Sequence, residues 1–451
     1  ALNSAGKLTL NSSNVTATDL NLTSTGNESL TNSTLNVTAG NLALSTQGDL
    51  SLSGTTLTQN GTGNATLNSA GKLTMLGDTL NATGGTTLCG TQGVQLADLT
   101  NNSPLTVTAP ELAVSYQSGT LSNATLNVSG NTTMSGQQDL TLTNVTLNGE
   151  AGNLSVTTGG TFTAGPGTNL TAGNIALSGN GVTLNGTGTG VVVNATTGNL
   201  TLTSSGSGNL DNGGGDITLQ AAQDISLTVN SSYAGTAMNL SGLNISAGNN
   251  LLLNATSSAG NGDNYNVIVM SGGNLTATTG NLAISATGKH SNALAAVINL
   301  GNSATLTAGQ DITLNGSTTG NGNGVSLDNV SLNATTLNLT GSSQGGTGFS
   351  LTNITLSQAL KDLANVTLSS AGSSAKTTNL LDYSVINAAL TGKTLDTFLS
   401  RGADNLTQIE MNGTAVFSNT SSGWTEDYSN ASKPDGGWLL NNTCVTAGGD
   451  V

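Results

Sequence analysis

The sequence predicts an all-β chain wound as a single-stranded parallel β-helix, a solenoid of short coils with an atypical C-terminal region. Three observations carry that expectation: charge and aromatics are scarce, apolar and polar residues alternate in short runs, and the runs recur at a near-constant spacing. Only 7% of the 451 residues are charged and 2% are aromatic, against roughly 25% charged in an ordinary soluble domain. Leu, Val, Ile and Thr recur throughout, which separates the chain from disordered sequences. Its 62 glycines lack the period of three that collagen requires. A globular core with so few aromatics is unusual. A solenoid needs only small aliphatic side chains inward, because neighbouring coils complete the burial.

The alternating runs come first. Gly6-Lys7-Leu8-Thr9-Leu10, Gly48-Asp49-Leu50-Ser51-Leu52, Asn174-Ile175-Ala176-Leu177 and Asp311-Ile312-Thr313-Leu314 share one pattern. A period of two sends Leu, Ile and Val to one face of a strand and Thr, Ser and Asn to the other. Glycine and asparagine between the runs supply tight turns, with positive φ where the turn demands it. The octapeptide LNSAGKLT occurs at residues 2–9 and again at 67–74, an offset near three coils of about 22 residues. Residues 32–38, NSTLNVT, resemble residues 123–129, NATLNVS. A β-sandwich would also show short alternating strands, but it normally carries aromatic core anchors, and residues 1–350 hold almost none.

Residues 1–350 therefore read as β-helix repeats. Segments 204–216, 256–267 and 315–325 read as loops leaving the coil. Residues 351–451 change texture and read as a continuation, a cap or a small binding module. They carry Phe398, both tryptophans, Trp424 and Trp438, and also Tyr428; Trp424, Tyr428 and Trp438 are the candidate binding or cap residues. Short helices are expected within 380–400. An open solenoid end exposes strand edges, so a terminal segment differs from the repeats it covers.

The net charge of −15 comes from 23 acids and eight bases. The bases are scattered, so no cationic patch for nucleic acid is expected. Asp49, Asp78, Asp216, Asp224 and Asp311 stand where turns start, a common place for aspartate. Glu426 and Asp427 are neighbours, and neighbours in a strand face opposite ways. His290 is the single histidine. No HExxH, GxSxG, nucleotide-binding P-loop or dinucleotide fingerprint occurs, so no catalytic residue, metal, cofactor or nucleotide partner is expected. Cys89 and Cys444 lie far apart along a straight solenoid. The expectation is that they do not pair with each other, and that a cysteine near the C-terminus pairs with another chain. No run of 18 apolar residues occurs, so no helix is expected to span a membrane. The chain opens inside a repeat and reads as a processed or excised piece.

Asn-X-Ser/Thr occurs about 35 times. Composition explains much of this. Asn14, Asn21, Asn36, Asn144, Asn274, Asn353 and Asn412 are the candidate glycosylation sites: the middle residue of each triplet can face inward while Asn and Ser/Thr face out.

The GxLxLxxxxL/I texture, as in Gly48-Asp49-Leu50-Ser51-Leu52 and Gln310-Asp311-Ile312-Thr313-Leu314, resembles the filamentous-haemagglutinin-type exoproteins of Gram-negative bacteria over residues 1–350. The abundance of sequons resembles, more narrowly, the high-molecular-weight adhesins among them. The resemblance implies a right-handed β-helix shaft, two-partner secretion through an outer-membrane transporter, and a place on the bacterial cell surface. It implies attachment to a host-cell receptor or glycan, or to another bacterial cell, and hexoses on asparagines such as Asn14, Asn21 and Asn36. The N-terminal secretion domain is not in this sequence, and Cys444 stands without the close cysteine partner those adhesins carry. An autotransporter passenger shares the fold. Two other readings stand beside the adhesin: a β-helical polysaccharide lyase or hydrolase, and a stalk piece of a toxin-delivery exoprotein.

Overall fold

A computed structural model describes residues 1–97, 104–206, 208–232, 235–258, 265–289, 295–343, 348–352 and 354–361, together with strands at 366–371, 408–411, 414–420 and 423–426. The chain forms two compact units. The first holds residues 1–208 and 212–223; the second holds 209–211 and 224–451. Each contains a parallel β-solenoid, as the alternation and spacing predict.

In the first unit each coil has three strand-forming faces, held by separate strands in the early coils and by strands that run through the corners from Gly119 onward. The first coil has Leu2–Ser4, Leu8–Asn11 and Asn14–Ala17; the second has Leu20–Ser24, Glu28–Thr31 and Thr34–Val37. Each strand pairs in parallel with the strand one coil further on. On the first face the register runs Leu2, Leu22, Leu44, Leu67, Leu88, Val114, Met134, Val156, Leu177 and Leu202. From Leu22 onward these side chains are buried. Burying one such aliphatic side chain contributes about 1.5–3 kcal/mol, and every coil adds several, so the core grows without aromatic anchors.

The two copies of LNSAGKLT occupy equivalent places, because Leu2 and Leu67 stand three coils apart in one column. Asn32 and Asn123, which open the second matching pair, adopt the same left-handed backbone, with φ of 47° and 48°. They sit at the corner between the second and third faces. Ser12, Gly54 and Gly77 hold that corner in other coils, with φ of 48°, 59° and 62°. Glycine enters this conformation without a Cβ penalty, and asparagine tolerates it better than most residues.

The other corners are held by side chains. Asn41 donates its backbone N–H to Asp19 Oδ1 at 2.8 Å, Asn64 donates to Asn41 Oδ1 at 2.9 Å, and Gly85 donates to Asn64 Oδ1 at 3.0 Å. Across another corner, Asp49 donates to Asn27 Oδ1 and Lys72 to Asp49 Oδ1. Each turn residue therefore caps the amide of its counterpart one coil later. The aspartates read as turn residues at 49 and 224 do this work. Asp216 lies inside the strand Leu210–Ala221, and Asp311 opens the strand Asp311–Thr318. Asp49→Ala removes an acceptor and is expected to cost about 1 kcal/mol, while Asp49→Asn keeps it and is expected to stay within about 0.5 kcal/mol of the parent. Urea denaturation of both variants checks this.

The second unit repeats the design with longer coils. Its core columns run Leu227, Leu253, Ile284, Leu314, Leu339 and, beside them, Ile225, Leu251, Leu282, Ile312, Leu337. Asn250, Asn281 and Asp311 donate to Asp224, Asn250 and Asn281 across steps of 26, 31 and 30 residues. The matching steps in the first unit are 22, 23 and 21. Part of the excess lies in the strands themselves: Leu20–Ser24 and Leu42–Thr46 have five residues, Ile225–Ser231 and Leu251–Ser257 seven.

Two expected loops are smaller than the sequence suggested. Residues 210–216 belong to the strand Leu210–Ala221. In segment 315–325, strands Asp311–Thr318 and Asn323–Asn333 leave only residues 319–322 between them. Gly and Asn continue a parallel ladder here because coil-to-coil backbone pairing does not require a bulky side chain. Segment 256–267 lies partly outside the described residues. Beyond residue 400 the pairing changes to antiparallel: Gln408–Met411, Thr414–Thr420 and Gly423–Glu426 form a three-stranded sheet. The C-terminal region is thus atypical. The segment 380–400, expected to hold short helices, lies outside the described residues.

Candidate functional site

The outer surface of the first unit is built from the polar half of each alternating strand. On the third face, two columns emerge side by side. One reads Asn14, Thr34, Thr56, Thr79, Thr106, Thr125, Thr146; the other reads Thr16, Asn36, Thr58, Asn81, Thr108, Asn127, Asn148. Between them Leu35, Leu57, Leu80, Val107, Leu126 and Leu147 point inward and are fully buried. Asn148 donates to Asn127 Oδ1 at 2.8 Å, one rung of an amide ladder.

The sequon asparagines follow this geometry. Asn14, Asn21, Asn144 and Asn274 are exposed and Asn36 is half-buried, while the middle residues Leu22, Val37, Val145 and Leu275 are buried. The amides differ in their engagement. Asn144 Nδ2 donates to Asn123 Oδ1 at 2.6 Å and Asn274 Nδ2 to Asn244 Oδ1 at 2.8 Å. Asn36 Oδ1 accepts from Asn60 Nδ2 at 3.4 Å. Asn14 and Asn21 make no side-chain hydrogen bond within the protein. Asn353 and Asn412 lie outside the described residues.

Two carboxyl groups lie inside the first unit: Glu28, which sequence reasoning passed over, and Asp78, read as a turn residue and found at a corner. Glu28 stands in a core column between Leu8 and Leu50. It is 1% exposed, neither carboxyl oxygen has a hydrogen-bond partner, and burial pushes its pKa up to about 7. Its signal was present: residues 26–30, GNESL, align with residues 48–52, GDLSL, so a glutamate occupies a leucine position. Asp78 is fully buried at a corner. Burial raises its pKa to about 7, against the pull of the Thr55 and Leu76 amides, which donate to Oδ1 and Oδ2 at 2.6 and 2.7 Å. Glycoside cleavage needs two carboxyl groups facing a bound sugar, and these two are sealed beneath the surface.

Among the described residues no group of three or more His, Cys, Asp or Glu is placed to hold a metal. Among them no helix is long and apolar enough to cross a membrane. Cys89 is a half-buried free thiol on the first face, in register with Asn68 and Ser115. Trp424 falls in the strand Gly423–Glu426. Tyr428, Trp438, Cys444 and His290 lie outside the described residues. A shallow open groove of about 770 Å³ crosses several coils. Asn3, Thr23, Ser45, Gln47, Asn68 and Thr91 are among its walls, and its lining holds neither charge nor aromatic.

The architecture is that of the broad class of β-helical repeat proteins, a scaffold that serves adhesins and enzymes alike. Compared with known proteins, the chain matches no family model, no curated protein and no solved structure.

Proposed function

We propose that the chain is the shaft of a secreted bacterial surface adhesin, exported through an outer-membrane transporter and attaching its cell to a host receptor or glycan or to another bacterium. The observation that carries this reading is the outer surface. Coil after coil presents Thr, Ser and Asn outward with very little charge, while the perturbed carboxyls are buried out of reach of a substrate. That arrangement suits extension and display more than turnover. Beads coated with the full chain are expected to adhere to epithelial cells or to bacteria, and deletion of residues 351–451 is expected to reduce that adherence at least several-fold. Release of oligosaccharides from a polysaccharide substrate, with no adherence, would replace this reading with the enzymatic one.

Sugars on the shaft belong to the same proposal. A hexose on Asn144 or Asn274 takes one of the two Nδ2 hydrogens and crowds a ladder hydrogen bond worth about 1 kcal/mol, whereas Asn14 and Asn21 make no such bond. Intact-mass and peptide mapping of protein from its native cell are expected to show hexose additions, with Asn14 and Asn21 occupied more fully than Asn144 and Asn274. An unmodified mass removes the sugars from the proposal and leaves the shaft.

A further inference from the structure

We propose that the third face of the first unit is an ice-binding surface. The observation is the register of its two columns. Six threonines, Thr34, Thr56, Thr79, Thr106, Thr125 and Thr146, stand on consecutive coils in one column. Thr16, Thr58 and Thr108 alternate with asparagines in the next. No register shift interrupts the pairing from Asn14 to Asn148 on this face.

The chemistry of the columns is uniform. Strands at 14–17, 34–37, 56–59, 79–82, 105–109, 124–128 and 145–148 contain neither a charged nor an aromatic residue. The hydroxyls of Thr34, Thr56, Thr58, Thr79, Thr106, Thr108, Thr125 and Thr146 make no hydrogen bond within the protein. Water is therefore their partner, and the ladder fixes where that water sits. Coils are spaced about 4.8 Å apart. Two waters bonded to a common third in tetrahedral geometry lie about 4.5 Å apart, given an O···O distance of about 2.75 Å. The column thus anchors waters near the second-neighbour spacing of tetrahedral ice along a line of about 24 Å.

Threonine suits this better than serine. Its branched Cβ restricts χ1, so hydroxyl and methyl hold fixed places, and the methyl keeps laterally disordered water away from the bonded one. The buried leucines behind the columns hold the strands in place. A charged side chain would recruit its own hydration shell and counterions and disturb the array, and none is present. A flat polysaccharide surface fits less well, because gripping the faces of sugar rings calls for exposed aromatic rings and Tyr116 and Phe162 are both buried.

This inference goes beyond the attachment reading and does not depend on it. Asn14, Asn36, Asn81 and Asn127 are sequon asparagines within the same columns, so a sugar on any of them would cover part of the array. The test therefore uses the full chain shown by intact mass to be unmodified. In a slowly grown ice hemisphere the protein is expected to enter the ice while an inert globular protein is excluded, and ice recrystallisation is expected to be inhibited. The double variant Thr79→Tyr/Thr106→Tyr is expected to raise the concentration needed for inhibition at least tenfold, with an unchanged melting temperature. The isosteric pair Thr79→Val/Thr106→Val, which removes only the hydroxyls, gives a second reading should the tyrosines perturb folding. Thr120→Tyr/Thr141→Tyr on the second face is expected to leave inhibition intact. Exclusion of the parent chain from ice overturns the proposal, as does retention of activity by both third-face variants. Binding to crystalline cellulose or chitin without entry into ice overturns it in favour of a polysaccharide surface.

Discussion

Glu28→Leu is expected to stabilise the chain at pH 8 and to do so much less at pH 4. Glu28 takes the place of a leucine between Leu8 and Leu50 and has no hydrogen-bond partner. Burial raises its pKa from 4.5 to about 7. Below the unfolded value both states hold the proton, and the fold carries no ionisation penalty. As pH rises from 4.5 towards 7 the unfolded chain ionises first, so stability falls, and above 7 the loss is complete. The full shift corresponds to about 3 kcal/mol at 1.36 kcal/mol per unit. Relaxation of the surroundings and water penetration around a buried charge lower the expected effect to about 2 kcal/mol. Urea denaturation should therefore show the gap between variant and parent widening by about 2 kcal/mol from pH 4 to pH 8. A gap of equal size at both pH values would mean that only apolar burial, and no ionisation, separates the two. Asp78 titrates in the same window in the parent and the variant, so it cancels from the difference.

The second large effect belongs to Phe162. It is fully buried and stands in a core column between Leu140 and Val182, where its ring fills space that aliphatic side chains fill in other coils. Phe162→Ala removes the ring and leaves a cavity, with an expected loss of about 3–5 kcal/mol. Thr163→Ala, one residue on and facing outward, is expected to change stability by no more than about 0.5 kcal/mol. Because each coil of a solenoid contacts mainly its neighbours, the damage is expected to stay local. Hydrogen exchange should accelerate in strands Leu140–Thr158, Thr161–Ala164 and Gly181–Ala195 before it does in Leu42–Thr46. Uniform acceleration along the first unit would show instead that the coils melt as one body.

The alternation of Leu8, Leu10, Leu50 and Leu52 with Thr and Ser was enough to read strands with one buried face, and the repeated octapeptide was enough to read coils. Both rest on local pattern, which sequence displays directly. The columns of the third face were not legible. Thr79 meets Thr106 only because the intervening segment closes that coil at one length, and the length of a loop does not reveal which residues it brings into register. Glu28 escaped notice for the opposite reason. It is plain in the sequence, and the match of GNESL to GDLSL sets it at a leucine position, but a lone glutamate opening a strand resembles the turn acids beside it. The turn role of Asp49 was readable; its capping of Lys72 one coil later was not.

The corner hydrogen bonds also have a direction. Asp19 receives the amide of Asn41, Asn41 that of Asn64, and Asn64 that of Gly85. In these three the side chain belongs to the earlier coil and the amide to the later one; at the corner between the second and third faces the sense reverses, Thr55 giving its amide to Asp78 of the next coil. At the corner of Asn41 and Asn64 a finished coil thus offers ready acceptors to the coil that follows it in the chain, whereas its own turn amides have already been claimed by the coil before. At this corner growth from the N-terminal side is templated, each coil acting as a ratchet tooth for the next. At the corner of Thr55 and Asp78 the acceptor stands on the later coil instead, and the template runs the other way.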